Sequence, residues 1–291
     1  ITLTGIKSGV ATTMKADGGT FGSGDGNETQ AGTIGPIAAS DMDIGLLIAG
    51  GATQTGKKDD YRKAYGEITL NQITTDAPAG PSIGIDRITI RDFRIKTSEQ
   101  GLSALAERII RRQAAAPAND ADMNSLALDM VSLFTGFAIG SSEVSQIRID
   151  DKKNSETVRI NRITYDGGNA SPLQTVRMEG FEGAFEGGRM RIGSIEQSGF
   201  SFAPVYDAVR ATVSKPNAKL SEADPLNFVP VLGKFEIRDV TVDIADVPPI
   251  HAGLRALSLT MDNPSGGLPK SLDLTFDGLF GPLPSNSTDN F

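Results

Sequence analysis

The chain has 291 residues, 38% of them hydrophobic and 22% charged, which suits one large domain or two closely packed ones. Its net charge of −8 and its scattered Lys and Arg residues argue against nucleic acid or an anionic membrane surface as a partner. The absence of cysteine excludes disulfides, thiolate metal sites and cysteine nucleophiles. No stretch is apolar for long enough to cross a bilayer, so we predict no transmembrane segment.

The first residues, 1–6, have the pattern of a strand and include no initiator Met. We therefore expect that an upstream segment has been removed, by signal-peptide cleavage, proteolysis or trimming. Residues 281–287 have the Pro and Ser content of a linker, so we expect this chain to be part of something longer.

One short pattern recurs along the chain: an apolar residue, any residue, an apolar residue, any two residues, and a third apolar residue. Its period-2 start predicts a half-buried strand. The change of parity before the third apolar residue predicts a bulge or a change of face. Seven copies are Ile1-Leu3-Ile6, Ile68-Leu70-Ile73, Ile83-Ile85-Ile88, Val158-Ile160-Ile163, Val176-Met178-Phe181, Met190-Ile192-Ile195 and Phe235-Ile237-Val240.

A longer unit of four apolar positions occurs three times with identical spacing. Each copy follows another candidate strand, and the second and third copies lead into helix-like stretches. Residues 46–49 occupy the same place after the first copy. The period-2 runs favour an antiparallel sheet with one wet face. We therefore predict an α+β fold with a long, curved antiparallel sheet built from repeated hairpin-plus-helix units. The three copies are Ile34, Ile37, Met42, Ile44; Ile85, Ile88, Phe93, Ile95; and Ile192, Ile195, Phe200, Phe202.

Residues 97–140 predict a helical hairpin packed on the sheet. Thr97 and Gln100 could cap its first helix, and Asn119 or Asp120 its second. The apolar face of the second helix is predicted to run to Ala138, with Gly140 ending it. We divide the chain into 1–96 (first two repeats), 97–140 (inserted hairpin), 141–244 (third repeat and following strands) and 245–291 (last strands and tail).

Several motifs suggest chemistry without completing it. Gly51–Lys58 approaches a phosphate-binding loop, but Lys58 replaces the hydroxyl residue that binds magnesium, so we predict a polar surface loop. The Gly-rich, acidic segment 17–28 predicts a hairpin tip, with calcium binding as the alternative. The single histidine, His251, cannot by itself supply a zinc set, and no nucleophile-elbow pattern accompanies it.

Only carboxylates remain as general acids and bases. Pairs such as Asp41 with Asp43, or Asp150 with Asp151, occur in no diagnostic context. We therefore predict a protein that is not an enzyme and uses no metal or cofactor, with a carboxylate-based hydrolase as the alternative.

The most informative stretch is the apolar face of the second predicted helix. Met, Leu and Phe side chains there could line an apolar ligand groove or pack as ordinary core. The predicted ligand-binding residues are Met123, Leu126, Met130, Phe134 and Phe137. We predict a periplasmic or extracellular protein of the cell envelope that binds a lipid-like ligand between sheet and helices. The alternative is a structural subunit of a surface layer, filament or larger repeat protein, self-associating through sheet edges.

Overall fold

The structure is a computed structural model. It describes residues 1–23, 30–50, 61–76, 80–98, 101–115, 119–167, 173–215, 223–245, 249–261 and 269–282. Fourteen strands and four α-helices lie in these ranges, so the predicted α+β class and antiparallel sheet are confirmed. The strands are β1 (Thr2–Lys7), β2 (Val10–Ala16), β3 (Gly19–Ser23), β4 (Gln30–Ile34), β5 (Ile37–Asp43), β6 (Tyr61–Asp76), β7 (Ser82–Lys96), β8 (Phe137–Asp151), β9 (Glu156–Asp166), β10 (Gln174–Phe185), β11 (Gly188–Phe200), β12 (Lys234–Ile244), β13 (Ile250–Met261) and β14 (Leu272–Asp277). The helices are α1 (Ile44–Ile48), α2 (Gly101–Ala114), α3 (Asp120–Phe134) and α4 (Ala203–Val213).

All fourteen strands belong to one antiparallel sheet. Its order is β1-β2-β5-β6-β7-β8-β9-β10-β11-β12-β13-β14, and the β3–β4 hairpin joins it through β4 and β6. Strands that follow one another in the chain are therefore neighbours almost everywhere. The helices follow β5, β7 and β11, which run in the same direction. All four helices consequently lie at one end of the strands, which we call the helical end.

Two rows of interrupted pairing cross the sheet. In each row the ladder between neighbouring strands skips one position on both strands and then resumes in the same register, except between β5 and β6, where the ladder ends at the row. The far row contains Gln72, Asp86, Gln146, Asn161, Gly180, Gly193, Asp239 and Arg255, on β6 to β13. The helix-side row contains Gly5, Thr12, Asp41, Gly66, Asp92 and Gly140, on β1, β2 and β5 to β8.

Left-handed backbone conformation marks every second strand of each row. In the far row Gln72, Gln146, Gly180 and Asp239 have φ between 50° and 66°. Such a residue interrupts the alternation of side chains, so apolar positions on its two sides can point to the same face. A row residue lies between the second and third apolar positions in all seven copies of the sequence pattern. This interruption of the alternation is what the change of parity in the sequence pattern predicts.

Two glycines of the far row lie close to a side chain on the neighbouring strand. Gly180 has φ +66°, and a Cβ built on it would lie 2.1 Å from Nδ2 of Asn161 on the neighbouring strand. A Cβ on Gly193 would lie 2.9 Å from Cβ of Asp239. A glycine therefore stands beside each of these side chains, because the two strands approach too closely for a second one.

The helical hairpin is shorter than the sequence predicts. Helix α3 ends at Phe134, whereas Phe137 begins β8. The chain has already rejoined the sheet at Gly136, whose carbonyl accepts from the Lys96 N–H at 2.7 Å. Gly136, rather than Gly140, therefore separates helix from strand.

The caps of the two hairpin helices are a serine and an asparagine. Asn119 caps α3 as predicted, accepting from the Asp122 N–H at 3.0 Å. At α2, Ser98 Oγ accepts from the Gly101 N–H at 2.9 Å, in the place predicted for Thr97. Gln100 of the predicted capping box lies outside the described residues.

An ion-pair cluster joins α2 to α3. Asp129 is 9% exposed, and its carboxylate binds Arg108 at 2.8 Å and Arg112 at 2.6 Å. The buried positions of α3 are thus Asp129, which faces the two arginines of α2, and Val131. Among the apolar side chains of α3, Val131 is buried, whereas Met123, Met130 and Phe134 are exposed, so only part of the predicted apolar side is packed.

The buried apolar core is small and lies at the helical end. Leu46 of α1 packs with Ala64 and Ile95 of the sheet, and Leu102 of α2 packs against this cluster. The eight buried apolar residues of the described chain are Ala11, Ala39, Leu46, Ala64, Ile95, Leu105, Ile109 and Val131.

We predict that Gly180→Ala lowers the free energy of unfolding by about 1–3 kcal/mol, since the new Cβ meets Asn161 and the left-handed φ strains alanine. Chemical denaturation measures the change. Gly84→Ala on β7 is the matched control: a Cβ at Gly84 meets nothing within 4 Å, so we expect stability to be unchanged or slightly raised. Equal losses in the two variants would contradict the steric account of the row.

We predict that Asp129→Ala destabilises the protein by about 1–3 kcal/mol, because it removes the shared carboxylate from both guanidinium groups. Glu107→Ala removes only the exposed pair with Arg111, and should change stability by about 0.5 kcal/mol or less. Urea unfolding monitored by the helical circular dichroism band distinguishes them.

Candidate functional site

Apolar side chains form two unbroken lines across one face of the sheet. Directly opposed residues of antiparallel strands point to the same face, so the register can be followed from strand to strand. The first line is Ile37, Leu70, Ile88, Val144, Ile163, Met178, Ile195, Ile237, Leu257 and Phe276. The second, across the far row, is Ile73, Ile85, Ile147, Ile160, Phe181, Ile192, Val240 and Leu254. We call this surface the apolar face.

The opposite face is polar and ion-paired. One line across it consists only of polar residues: Thr69, Thr89, Glu143, Thr164, Arg177, Glu196, Glu236, Ser258 and Thr275. Cross-strand ion pairs join neighbouring strands here. Arg177 Nη1 lies 3.0 Å from Glu196 Oε2, and Arg162 Nε lies 2.8 Å from Glu179 Oε2. We call it the polar face.

Neither line of the apolar face is buried. Each of its residues is half-buried or exposed, and none is among the eight buried apolar residues of the described chain. A second layer packed on a sheet would bury such side chains fully. Within the described ranges, the apolar face therefore carries no covering layer over these lines.

At the helical end, the apolar face runs into a groove of about 520 Å³. The end of α3, the start of α4 and the ends of β8 and β9 form its walls. This volume lies within the usual range of small-molecule sites, about 300–1,000 Å³. Its aromatic lining residues are Tyr61, Phe134, Phe137, Tyr165, Phe202 and Tyr206.

Aromatic contacts extend the groove along both walls. Phe137 on β8 stacks with Phe93 on β7 at a centroid distance of 6.2 Å, and Phe93 stacks with Tyr65 on β6 at 4.8 Å. On the other wall Phe202 stacks with Tyr206 of α4 at 6.4 Å. The groove therefore offers flat apolar surfaces on two sides.

Thr135, just after α3, forms hydrogen bonds to side chains from two other elements that line or adjoin the groove. Its carbonyl accepts from the Tyr61 hydroxyl at 2.7 Å, and its Oγ1 accepts from Arg210 Nη2 of α4 at 3.0 Å. A charged pair on β7 lines the groove, with Arg94 Nη2 2.9 Å from Asp92 Oδ2. The groove is thus apolar along its walls, with a few fixed polar groups.

Burial raises the pKa of both Tyr165 and Tyr206. The nearby charge of Asp166 raises the pKa of Tyr165 further. Both phenols therefore stay neutral at ordinary pH and can donate or accept a hydrogen bond. The groove thus provides neutral polar groups for the less apolar part of a ligand.

The structure separates the five residues predicted to bind ligand. Phe134 and Phe137 line the groove, whereas Met123, Leu126 and Met130 are not among its lining residues. Met123 is 50% exposed, and Leu126 is half-buried. The predicted helical face therefore contributes only its C-terminal end to the groove.

Sequence reasoning missed most of the aromatic lining. Three of the four tyrosines, Tyr61, Tyr165 and Tyr206, meet at the groove from three separate elements. Their convergence depends on strand register, which the pattern alone did not provide. The sequence pattern did single out Phe202, because this residue ends the third copy of the longer unit, but it did not assign Phe202 to a ligand site.

The other predicted motifs show no catalytic arrangement in the described residues. Asp43 caps α1, accepting from the Leu46 N–H at 2.8 Å, and also pairs with Arg62. His251 contacts Asp243 on the neighbouring strand. Gly51–Lys58 and residues 24–28 of the Gly-rich segment lie outside the described ranges. Where the structure describes side chains, no three His, Asp or Glu residues come together as metal ligands.

Comparison of the chain with protein-family models, curated proteins and solved structures finds no match. Among the described helices, none has the length and apolar character needed to cross a membrane.

We predict that the polar face weakens in acid. Hydrogen bonding from Arg162 lowers the pKa of Glu179, with Arg177 adding to the effect. A lowered folded-state pKa stabilises the fold above the ordinary Glu pKa, near 4.3, and this contribution disappears as pH falls through the lowered value. Glu179→Gln should therefore lose roughly 0.5–1 kcal/mol at neutral pH and almost nothing in strong acid. Urea unfolding across a pH series tests this; a deficit independent of pH would contradict it.

Proposed function

We propose that this protein binds an amphipathic or hydrophobic, lipid-like ligand and carries out no chemical step on it. The observation that carries the proposal is the apolar face, which crosses ten neighbouring strands and whose side chains are partly accessible to solvent rather than fully buried. Exposed apolar surfaces of that extent are rare on monomeric proteins and mark binding sites.

The groove supports the same proposal. Its aromatic walls suit the apolar part of a ligand, and it opens onto the apolar face through Phe137, Ile139 and Tyr165. An acyl chain on these surfaces would gain about 0.8 kcal/mol for each CH₂ group buried. The neutral phenols and the Asp92–Arg94 pair are available to a polar headgroup. The ligand would thus lie along the sheet, with one end beneath α3 and α4.

The cellular setting belongs to the proposal as well. A lipid-like ligand and a cysteine-free, acidic chain fit a periplasmic or extracellular protein of the cell envelope. The repeated hairpin-plus-helix unit is part of the same hypothesis: α1, α2 and α4 each follow one of the three copies of the longer sequence pattern. We propose that the sheet is curved, since left-handed residues repeated along a row bend strands in a common direction.

The test is binding of a fluorescent long-chain fatty acid, with native mass spectrometry of the purified protein to detect co-purifying lipid. We predict that Phe134→Asp weakens binding at least about tenfold, because it places a charge in the aromatic wall. Leu128→Asp is the matched control: it lies on the same helix, is 37% exposed and does not line the groove. Its affinity should match that of the unmodified chain.

Three results would decide against the proposal. The unmodified chain could fail to bind the probe and carry no lipid-sized mass. Phe134→Asp and Leu128→Asp could weaken binding equally, which would indicate loss of α3 rather than loss of a site. Binding could also depend on a carboxylate pair, with turnover of the ligand, which would favour the hydrolase alternative.

A further inference from the structure

Two strands of the sheet have a neighbour on one side only. Within the described residues, β1 pairs only with β2, and β14 pairs only with β13. Every residue of both strands is exposed. Such edges present unpaired N–H and C=O groups to any strand that can add to them. The side chains along these edges are unusually apolar, with Ile6 59%, Leu274 55% and Phe276 61% exposed.

The two edges match each other in direction. Strand β1 runs toward the helical end, and β14 runs away from it. If a second copy is placed beside the first in the same orientation, its β1 lies antiparallel to β14. The pairing would then repeat the arrangement found between neighbouring strands throughout the sheet.

The edges also match in level. The helix-side row crosses β1 at Gly5 and reaches Gly140, whose carbonyl accepts from the Gly167 N–H at 2.9 Å. Further along the sheet, the left-handed glycines Gly199 and Gly233 occupy the same level, after a one-residue shift at Gln174. Met261 N–H donates to Gly233, and Met261 opposes Leu272 on β14. Continuing the row from copy to copy therefore places Leu272 opposite Gly5.

That register aligns the apolar face of one copy with the apolar face of the next, and the polar face with the polar face. With Gly5 opposite Leu272, Leu3 opposes Leu274 and Thr4 opposes Asp273. The Leu3–Leu274 pair lies on the apolar face, since Leu274 is two residues from Phe276 of the first apolar line. The Thr4–Asp273 pair lies on the polar face. A slip by one residue in either direction would place Leu3 opposite a polar residue, Asp273 or Thr275.

We propose that copies of this chain associate head to tail, with β14 of one copy pairing antiparallel with β1 of the next in the register Leu3 to Leu274. Both faces then continue across the junction. The contact joins two different surfaces, so it generates a ring or an open filament rather than a closed dimer. The inference does not depend on ligand binding, because it uses only the edges, the rows and the register.

Cysteine cross-linking tests the register directly, since the natural chain contains no cysteine. Leu3→Cys protein is mixed with Leu274→Cys protein and oxidised under mild conditions. Each molecule carries one thiol, so every disulfide joins two molecules. Opposed strand positions fall within the Cα separation that a disulfide requires, roughly 4.4–6.8 Å. We expect the mixed disulfide to dominate over the dimers that either protein forms alone.

Asp273→Cys mixed with Leu3→Cys is the matched control, because its thiol is one position away on the same edge and points to the other face. Equal yields from the control and the predicted pair would overturn the register. Circular dichroism of each variant establishes that the sheet is intact.

Sedimentation velocity tests the association itself, on the unmodified chain from about 1 μM to about 1 mM. We expect assemblies that grow with concentration. Leu274→Lys should weaken them about tenfold, because a lysine on the apolar side of an edge opposes pairing. Thr275→Lys, on the polar side of the same strand, should leave them unchanged. A monomer at every concentration would overturn the proposal, whether or not the fatty acid probe binds.

Discussion

The rest of this structure depends on the two rows of interrupted pairing that cross the sheet, in which every second strand carries a left-handed residue. A strand with strict alternation would carry the residues of the pattern apolar-any-apolar-any-any-apolar onto both faces. Each row reverses the alternation in every strand at the same level, so the apolar residues on its two sides share one face. Neighbouring strands must reverse together, because a strand that failed to do so would turn its apolar residues toward the ion pairs. The rows thus determine both the register between neighbouring strands and the face of the sheet on which each side chain lies.

The small core follows from this arrangement. A sheet that keeps all its apolar residues on one face and places its helices at one end buries few of them completely. The only described core cluster lies where α1 and α2 meet the sheet, around Leu46, Ala64 and Ile95. Elsewhere, cohesion comes from long antiparallel ladders and from ion pairs such as Arg177 with Glu196. An open apolar surface is tolerable for a protein only if something covers it in use, such as a ligand or another copy.

The strands and the change of face could be predicted from the sequence because both are local. They depend on the spacing of apolar residues, which the chain shows directly. The end of α3 was predicted too late, since Phe137 and Ala138 continue a helical apolar spacing and only pairing with β7 assigns them to a strand. The burial of Asp129 could not be predicted, because the predicted hairpin does not specify which side of α3 faces the arginines of α2. Part of the groove lining was predicted from the sequence, namely Phe134 and Phe137. Tyr165 and Tyr206 could not be predicted, because they come together only through strand register and helix placement.

The order of the strands has a consequence for how such a protein can change. From β7 to β13 each strand pairs only with the strands before and after it in the chain. Stability is then close to a sum of nearest-neighbour terms, as in proteins that grow along one dimension. Inserting or deleting a whole hairpin changes the width by about 10 Å, two strand spacings, and leaves both faces intact. Width is therefore an adjustable dimension of this architecture, which evolution can lengthen or shorten in units of one hairpin without redesigning the remainder.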